Sequence, residues 1–359
     1  MKQKPVVAIA MSGGVDSSVA AALLVEQGYS VIGMMLKLWS EQGSNQTNRC
    51  CTPDSMAVAR RVASILSIPF YVLDARQIFY THVIGSFIDG YTHNTTPNPC
   101  IVCNRMIRWK FLFDHALAAG ADFLATGHYA RVINNSEPTY QLLRSLDPSK
   151  DQSYVLHVLT QNQLKHALFP LGGFTKQEVR QMAHRFNLPV ADRPDSQDLC
   201  FIGADGDYRK FLARYAPQTQ NPGFIKDSRG NVLGTHQGLA FFTIGQRKGI
   251  NISSPVPIYV LAKDAYNNVL VVGPRDETWK YHLIARQANW IRGFPPATLF
   301  NALVKIRYNA HRISGNVSIL NDSSFSIDFE NPMNDITPGQ SAVLYNGDIC
   351  LGGGVITCD

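Results

Sequence analysis

Six consecutive apolar residues, Val6 to Met11, give way to Ser12-Gly13-Gly14-Val15-Asp16-Ser17, after which Val19, Ala22 and Leu23 recur at helical spacing up to Gly28. A short unbroken apolar run reads as a buried strand, the 3.6-residue rhythm as a helix, and a glycine past its end as a left-handed stop. The alternation then repeats. Tyr29 to Leu38 reads as a second strand, Met56 to Leu66 as a helix, Pro69 to Leu73 as a third strand, Arg108 to Ala119 as a helix and Phe123 to Thr126 as a strand. Residues 40–55 are polar and irregular and read as a loop over the strand ends. This order predicts a doubly wound α/β domain with a parallel sheet, its ligand beyond the strand carboxyl ends.

Helical periodicity continues from Gln161 to Phe186, and beyond about Tyr215 the texture changes to short β-branched runs punctuated by Gly, Pro and Asn. Such spacing is that of an all-β region. The expected organisation is a catalytic α/β domain at 1–210, a small central linking domain at 211–276 and a C-terminal β-barrel at 277–359.

Composition narrows the class. The chain has 359 residues, 45% of them hydrophobic, enough for two or three domains with substantial cores. No run approaches the roughly 18 apolar residues of a membrane span, and the first apolar run leads into the glycine loop rather than a cleavage site, so a cytoplasmic protein with no membrane partner is expected. Seven cysteines in a reducing compartment are then thiols, metal ligands or catalytic groups rather than staples. Net charge is +6, a weak signal by itself. Its distribution is uneven: residues 277–312 carry Lys280, Arg286, Arg292, Lys305, Arg307 and Arg312 against Glu277, whereas 313–359 carry no Lys or Arg. A basic half of a domain suits a polyanion; an ordinary solvated face fits the charge equally well.

The glycine loop sits between a strand and a helix, where backbone N–H groups and the positive end of the helix dipole form an anion site. It lacks the lysine of a Walker loop and the spaced glycines of a dinucleotide fingerprint. Its SGGxDS pattern resembles the pyrophosphate loop of the ATP pyrophosphatases, which cleave ATP between the α and β phosphates. On that resemblance Asp16 helps hold Mg²⁺, and Ser12 and Ser17 donate to phosphate oxygens.

Two further stretches carry candidate chemistry. In Thr96-Pro97-Asn98-Pro99-Cys100-Ile101-Val102-Cys103-Asn104-Arg105 two prolines set an extended loop before the helix at Arg108, with Asn104 as the expected N-cap. A thiol at a helix N-terminus beside Arg105 and Arg108 is an activated nucleophile. The alternative is a structural metal or iron–sulfur site, with Cys100 and Cys103 at ligand spacing and Cys50-Cys51 completing four. The other stretch is Asp195 to Gly203, DSQDLCFIG, whose Cys200 would by itself read as a core cysteine. Beside an adenylating loop and a nucleophile loop, a second thiol suggests sulfur transfer, one sulfur carrying the atom and the other resolving the bond.

Taken together, SGGVDS at 12–17, RCCTPDSMAVARRVASILSIPFYVLD at 49–74, TPNPCIVCNR at 96–105, ATGHYAR at 125–131, KDQSYVL at 150–156, DSQDLCFIG at 195–203, GQRKGI at 245–250, KIRY at 305–308 and PGQSAVLY at 338–345 resemble the tRNA-specific 2-thiouridylases, in family order over nearly the whole chain. The resemblance implies a PP-loop ATP pyrophosphatase domain and ATP-dependent thiolation of the wobble uridine of tRNA. It places the persulfide on Cys200 and the other catalytic cysteine at Cys103, with a transient disulfide between them. It implies ATP contacts at Ala10, Met11, Ser12, Gly13, Gly14, Val15, Asp16, Ser17, Leu36 and Gly127. Target-base contacts fall on Asn98, Pro99 and Cys100, and other tRNA contacts on His128, Lys150, Asp151, Gln152, Arg307, Tyr308 and Gln340. The implied partners are tRNA and an upstream persulfide donor. The chain departs from the family pattern with Cys100 where many relatives have Asp and Leu36 where many have Met. A small-molecule amide synthetase and a noncatalytic RNA-binding protein are the rival readings, countered by the paired loop cysteines and the intact SGGVDS.

Overall fold

The structure, a computed structural model, describes residues 4–41, 52–134, 139–194, 199–202 and 207–357. Cys50, Cys51, Cys358, the tip of the expected 40–55 loop and Asp195 to Asp198 lie outside the described residues.

The N-terminal third forms as its apolar runs dictate. Strands β1 (Val6–Ala10), β2 (Ser30–Lys37), β3 (Phe70–Asp74) and β4 (Phe123–Ala125) make a parallel sheet in the order β3-β2-β1-β4, extended by the two-residue β7 (Ala167–Leu168). Helix α1 (Val15–Glu26) is buried on most of its circumference, which its Ser and Ala residues allow. Its residues share one core with Val7 and Ile9 of β1 and with Val179 and Ala183 of the helix Lys176–Arg185. Helix α2 (Pro53–Ile65) starts three residues before the expected Met56, because Thr52 caps it and Pro53 fits its first turn.

Three expectations need correcting. The helix expected from Arg108 starts at Pro99, with Asn98 rather than Asn104 as N-cap; the Asn98 side chain accepts from Ile101 N–H at 3.3 Å. It runs through a wide π-helical stretch, Cys103–Leu112, into a closing α-turn, Phe113–Ala118. The helical rhythm from Gln161 to Phe186 is broken into Gln161–Lys165, β7 and Lys176–Arg185, because Ala167 and Leu168 pair with Leu124 and Ala125 at the sheet edge and Thr175 opens a new helix with a capping box. Finally, β5 (Ala130–Ile133) and β6 (Gln141–Arg144) escape the alternating reading altogether.

That hairpin matters for the architecture. A central sheet is built from β8 (Gly223–Asp227), β9 (Val232–His236), β10 (Tyr259–Asp264) and β11 (Val269–Gly273). Beyond it, β12 (Lys280–Trp290), β13 (Leu299–Lys305), β14 (Ile313–Asn321), β15 (Ser324–Met333), β16 (Ser341–Asn346) and β17 (Ile349–Ile356) run in the order β12-β15-β14-β13-β16-β17 and close where β12 pairs β17. This is the expected C-terminal barrel. Strand β6 adds to β17, Leu142 opposite Cys350 and Leu143 opposite Ile349, so the barrel sheet continues into the α/β region. Tyr154, fully buried, donates its hydroxyl to Ser341 O at 3.0 Å and stitches the same seam.

Candidate active site

The order β3-β2-β1-β4 places a switch point between β1 and β4, and the loops leaving these two strands meet there. The glycine loop leaves β1. Gly13 has φ +74°, open to glycine without strain, and a Cβ on it would lie 2.3 Å from Ser55 O at the start of α2. Ser17 Oγ accepts from Ser12 N–H at 3.2 Å and Ser18 Oγ donates to Gly14 O at 2.8 Å, which folds the loop onto the first turn of α1. Gly14 supplies no side-chain cap, so the N–H groups of that turn face the cleft with no capping oxygen from their own N-cap. The β4 loop closes from the other side: a Cβ on Gly127 would sit 2.8 Å from Ser17 N, so the backbone approaches as only glycine permits. Gly13, Gly14 and Gly127 thus leave a cradle of bare backbone that suits a pyrophosphate group. Met11, Val15 and Ser17 are buried, leaving their backbone to meet a ligand, while Ser12 is exposed and Ala10, Asp16 and Leu36 are half-buried.

Asp16 is engaged by two groups that the sequence reading did not single out. Its Oδ1 accepts from the Tyr129 hydroxyl at 2.8 Å and from Lys176 Nζ at 2.7 Å. Arg193 donates to Gly13 O at 3.0 Å and to Asp54 at 2.8 Å, tying the loop to α2. Among the described residues no cluster of three or more His, Cys, Asp or Glu is placed to hold a metal ion. The four-cysteine alternative needs Cys50 and Cys51, outside the described residues.

Cys103 and Cys200 lie in a cluster separate from the core around the glycine loop. Cys103 is buried in an apolar cluster with Phe79, Phe87, Ile107, Phe201 and Phe211, and Cys200 packs half-buried against the same cluster. Two residues far apart in sequence are therefore brought to one place. Leu36 belongs both to this cluster and to the core beneath β1 and β4, so it stands between the two halves of the cleft. Cys103 begins the π-helical stretch, and a second one, Tyr80–Ile84, packs beside it; such wide turns recur at functional sites because they shift side chains off the regular helical register. Cys100 is exposed, one turn earlier. Asn104 is buried, its amide donating to Cys100 O at 3.1 Å and accepting from Arg108 at 3.3 Å.

The barrel shapes the third wall. Thr96 N–H donates to Pro338 O at 2.9 Å, and Gln340 Nε2 donates to Thr96 O at 2.8 Å, so the loop holding Asn98, Pro99 and Cys100 is pinned by the 338–340 turn. Burial, and after it the nearby Asp151 and Cys100, pushes the Tyr308 hydroxyl up to about 12. Lys305 lies over the rings of Tyr154 and Tyr308 at 5.9 and 5.5 Å, and burial lowers its pKa. Lys150 is half-buried.

Several expected tRNA contacts are already occupied within the chain. Asp151 is 3% exposed and accepts from Arg144 at 3.1 Å, Ser145 N–H at 3.3 Å, and Ser153 N–H and Oγ at 3.1 Å. Gln152 exchanges two bonds of 2.9 Å with the backbone of Tyr129. Arg307 donates to Ile244 O at 2.9 Å and to Thr337 Oγ1, and burial holds its pKa below the ordinary arginine value. His128 is buried, bonded to Thr126 Oγ1 at 2.7 Å, and desolvation together with Arg108 pushes its pKa down to about 3. It is neutral at physiological pH. Of the basic residues of 277–312, Lys280, Arg286 and Arg292 are exposed, whereas Lys305, Arg307 and Arg312 are half-buried.

The chain matches three family models in succession: the tRNA methyl transferase HUP domain over residues 5–204, the tRNA methyl transferase PRC-barrel domain over 209–274 and the aminomethyltransferase beta-barrel domain over 280–356. It is 46% identical to the tRNA-specific 2-thiouridylase MnmA of Chloroflexus aurantiacus across 98% of each chain. The protein of that name from Magnetococcus marinus is also 46% identical, over 99% of this chain and 100% of its own length. The one from Natranaerobius thermophilus is 44% identical, over 98% of this chain and 96% of its own.

Proposed function

Because this chain belongs to the family of tRNA-specific 2-thiouridylases, enzymes that transfer sulfur to tRNA, we propose that it binds ATP in the cradle between β1 and β4 and uses it to activate the C2 oxygen of the wobble uridine. The uridine oxygen attacks the α-phosphorus, the bond to the β-phosphate oxygen breaks, and pyrophosphate leaves with that electron pair. Mg²⁺ on Asp16 would neutralise phosphate charge. A persulfide on Cys200, loaded by an upstream donor, then delivers its outer sulfur to C2. AMP departs with the C2–oxygen electron pair, the Cys103 thiolate attacks Cys200 Sγ and breaks its bond to the transferred sulfur, which stays on C2 with that electron pair, and external thiol reopens the resulting disulfide. Asn98, Pro99 and Cys100 meet the extruded base, which an anticodon loop presents at modest cost. Lys150 and Tyr308 meet the tRNA at the barrel seam. The α/β part at 1–210 performs the chemistry, 211–276 links, and 277–359 positions tRNA.

One observation carries the reading: Cys103 and Cys200 share a single apolar cluster, and its edge residue Leu36 also packs on the core that holds Ala8 of β1 and Leu124 of β4, the two strands whose loops form the cradle. A small-molecule synthetase or a passive RNA binder has no use for that pairing. Pyrophosphate release measured with and without tRNA separates the three. Asp16→Ala should abolish tRNA-dependent release, and Cys200→Ser should retain release but yield no 2-thiouridine. An Asp16→Ala protein that thiolates at the parental rate would overturn the assignment.

A further inference from the structure

Lys176 stands out as a largely covered cation that is ion-paired with a residue of the nucleotide loop itself. Its side chain is 12% exposed, that of Asp16 is 36%, and the two meet at 2.7 Å. The ammonium also lies 5.9 Å from the centre of the Tyr129 ring. Its backbone is fixed with equal care: Thr175 and Glu178 form a reciprocal capping box, and Lys176 N–H donates to Asp147 at 3.1 Å. A lysine stem is flexible, but here its root is clamped and its tip meets Asp16 in the first turn of α1.

From this geometry we infer that Lys176 is a pyrophosphate-binding residue, kept in place by Asp16 until nucleotide arrives and then turned to the β and γ phosphates. The inference rests on the ATP reading above. Asp16 cannot give its full charge to a phosphate-bound cation while it holds an ammonium at 2.7 Å. The incoming anion offers Lys176 a stronger partner and releases the carboxylate at the same moment. When the bond to the α-phosphorus breaks, negative charge accumulates on the leaving pyrophosphate, which a positioned ammonium beside it stabilises. No proton needs to move.

The test is equilibrium binding of ATP, pyrophosphate and AMP, each with Mg²⁺, to the full chain and to Lys176→Met, which keeps the stem and drops the charge. Loss of one charge-assisted contact should weaken ATP and pyrophosphate by about 10- to 100-fold and leave AMP unchanged within about twofold. Lys176→Arg should recover part of the loss. Thermal melting identifies a misfolded variant, in which case the arginine variant and the pyrophosphate-to-AMP affinity ratio decide the question. Equal weakening of all three ligands, or of none, overturns the role of Lys176 while leaving the ATP site intact. A parent protein that binds none of the three overturns the ATP reading instead.

Discussion

At the scale of single residues, the site depends on atoms that are missing as much as on those present. Gly127→Ala would place a methyl 2.8 Å from Ser17 N and 2.9 Å from the Asp16 carbonyl carbon, both backbone atoms of the nucleotide loop that have little room to retreat. Overpacking of this kind costs about 1–3 kcal/mol. We expect Gly127→Ala to remain folded by circular dichroism but to lose at least about tenfold in ATP affinity, measured by titration; parental affinity would mean that the two loops are not apposed. Two buried histidines make a second prediction. His128 is held near 3, by desolvation and then Arg108, and His157 near 4, by desolvation opposed by the bond its Nδ1 donates to Tyr154 O. In the unfolded chain both titrate near 6.5, so between about pH 4 and 6.5 the unfolded state binds protons that the folded state does not, and stability falls as pH falls through that window. The urea midpoint should drop from pH 7 to pH 5, and the slope of stability against pH should shrink in His128→Gln.

At the scale of elements, the helix that starts at Pro99 shows how a local signal can be read one turn too late. Both asparagines were eligible caps; the side chain of Asn98 reaches the Ile101 N–H, while Asn104 lies inside the helix with its amide spent on Cys100 O. Asn98→Ala should destabilise by about 1 kcal/mol, whereas Asn98→Asp, an equally good cap, should stay within about 0.5 kcal/mol, as judged by denaturant unfolding. Equal effects of the two would argue that the cap is unimportant. The π-helical stretch after Cys103 has no comparable signature, because it is fixed by what packs on it: Trp109, Ile107 and Leu112 are all fully or almost fully buried and belong to two different cores. Likewise, the apolar pattern of 161–186 is compatible with one helix until β4 offers Ala167 and Leu168 an open edge.

At the scale of the whole molecule, the α/β part and the barrel share a sheet, and a buried ion pair of the α/β part stands beside their seam. Asp151 and Arg144 are bonded at 3.1 Å with side chains 1% and 14% exposed, beside the β6–β17 seam. Removing one partner of such a pair costs about 3–5 kcal/mol, so Asp151→Ala should destabilise both regions together, seen as one shifted calorimetric transition. A chain ending at residue 276 should precipitate or melt well below the intact protein, since Leu142 and Tyr154 would lose their cover; an unchanged melting midpoint would make the barrel an independent appendage. The sequence by itself determined the strand–loop–helix of residues 6–27, the parallel α/β order and the β-rich C-terminal part, because these follow from periodicity and from motifs whose chemistry is local. Only the tertiary structure decided that Lys176, Tyr129 and Arg193 converge on the glycine loop, that Cys103 and Cys200 share one cluster, and that Asp151, His128 and Arg307 are consumed by their own chain. Burial and partnership are properties of what lies opposite in space, and a residue's neighbours in sequence carry no information about a group that arrives from 160 positions away.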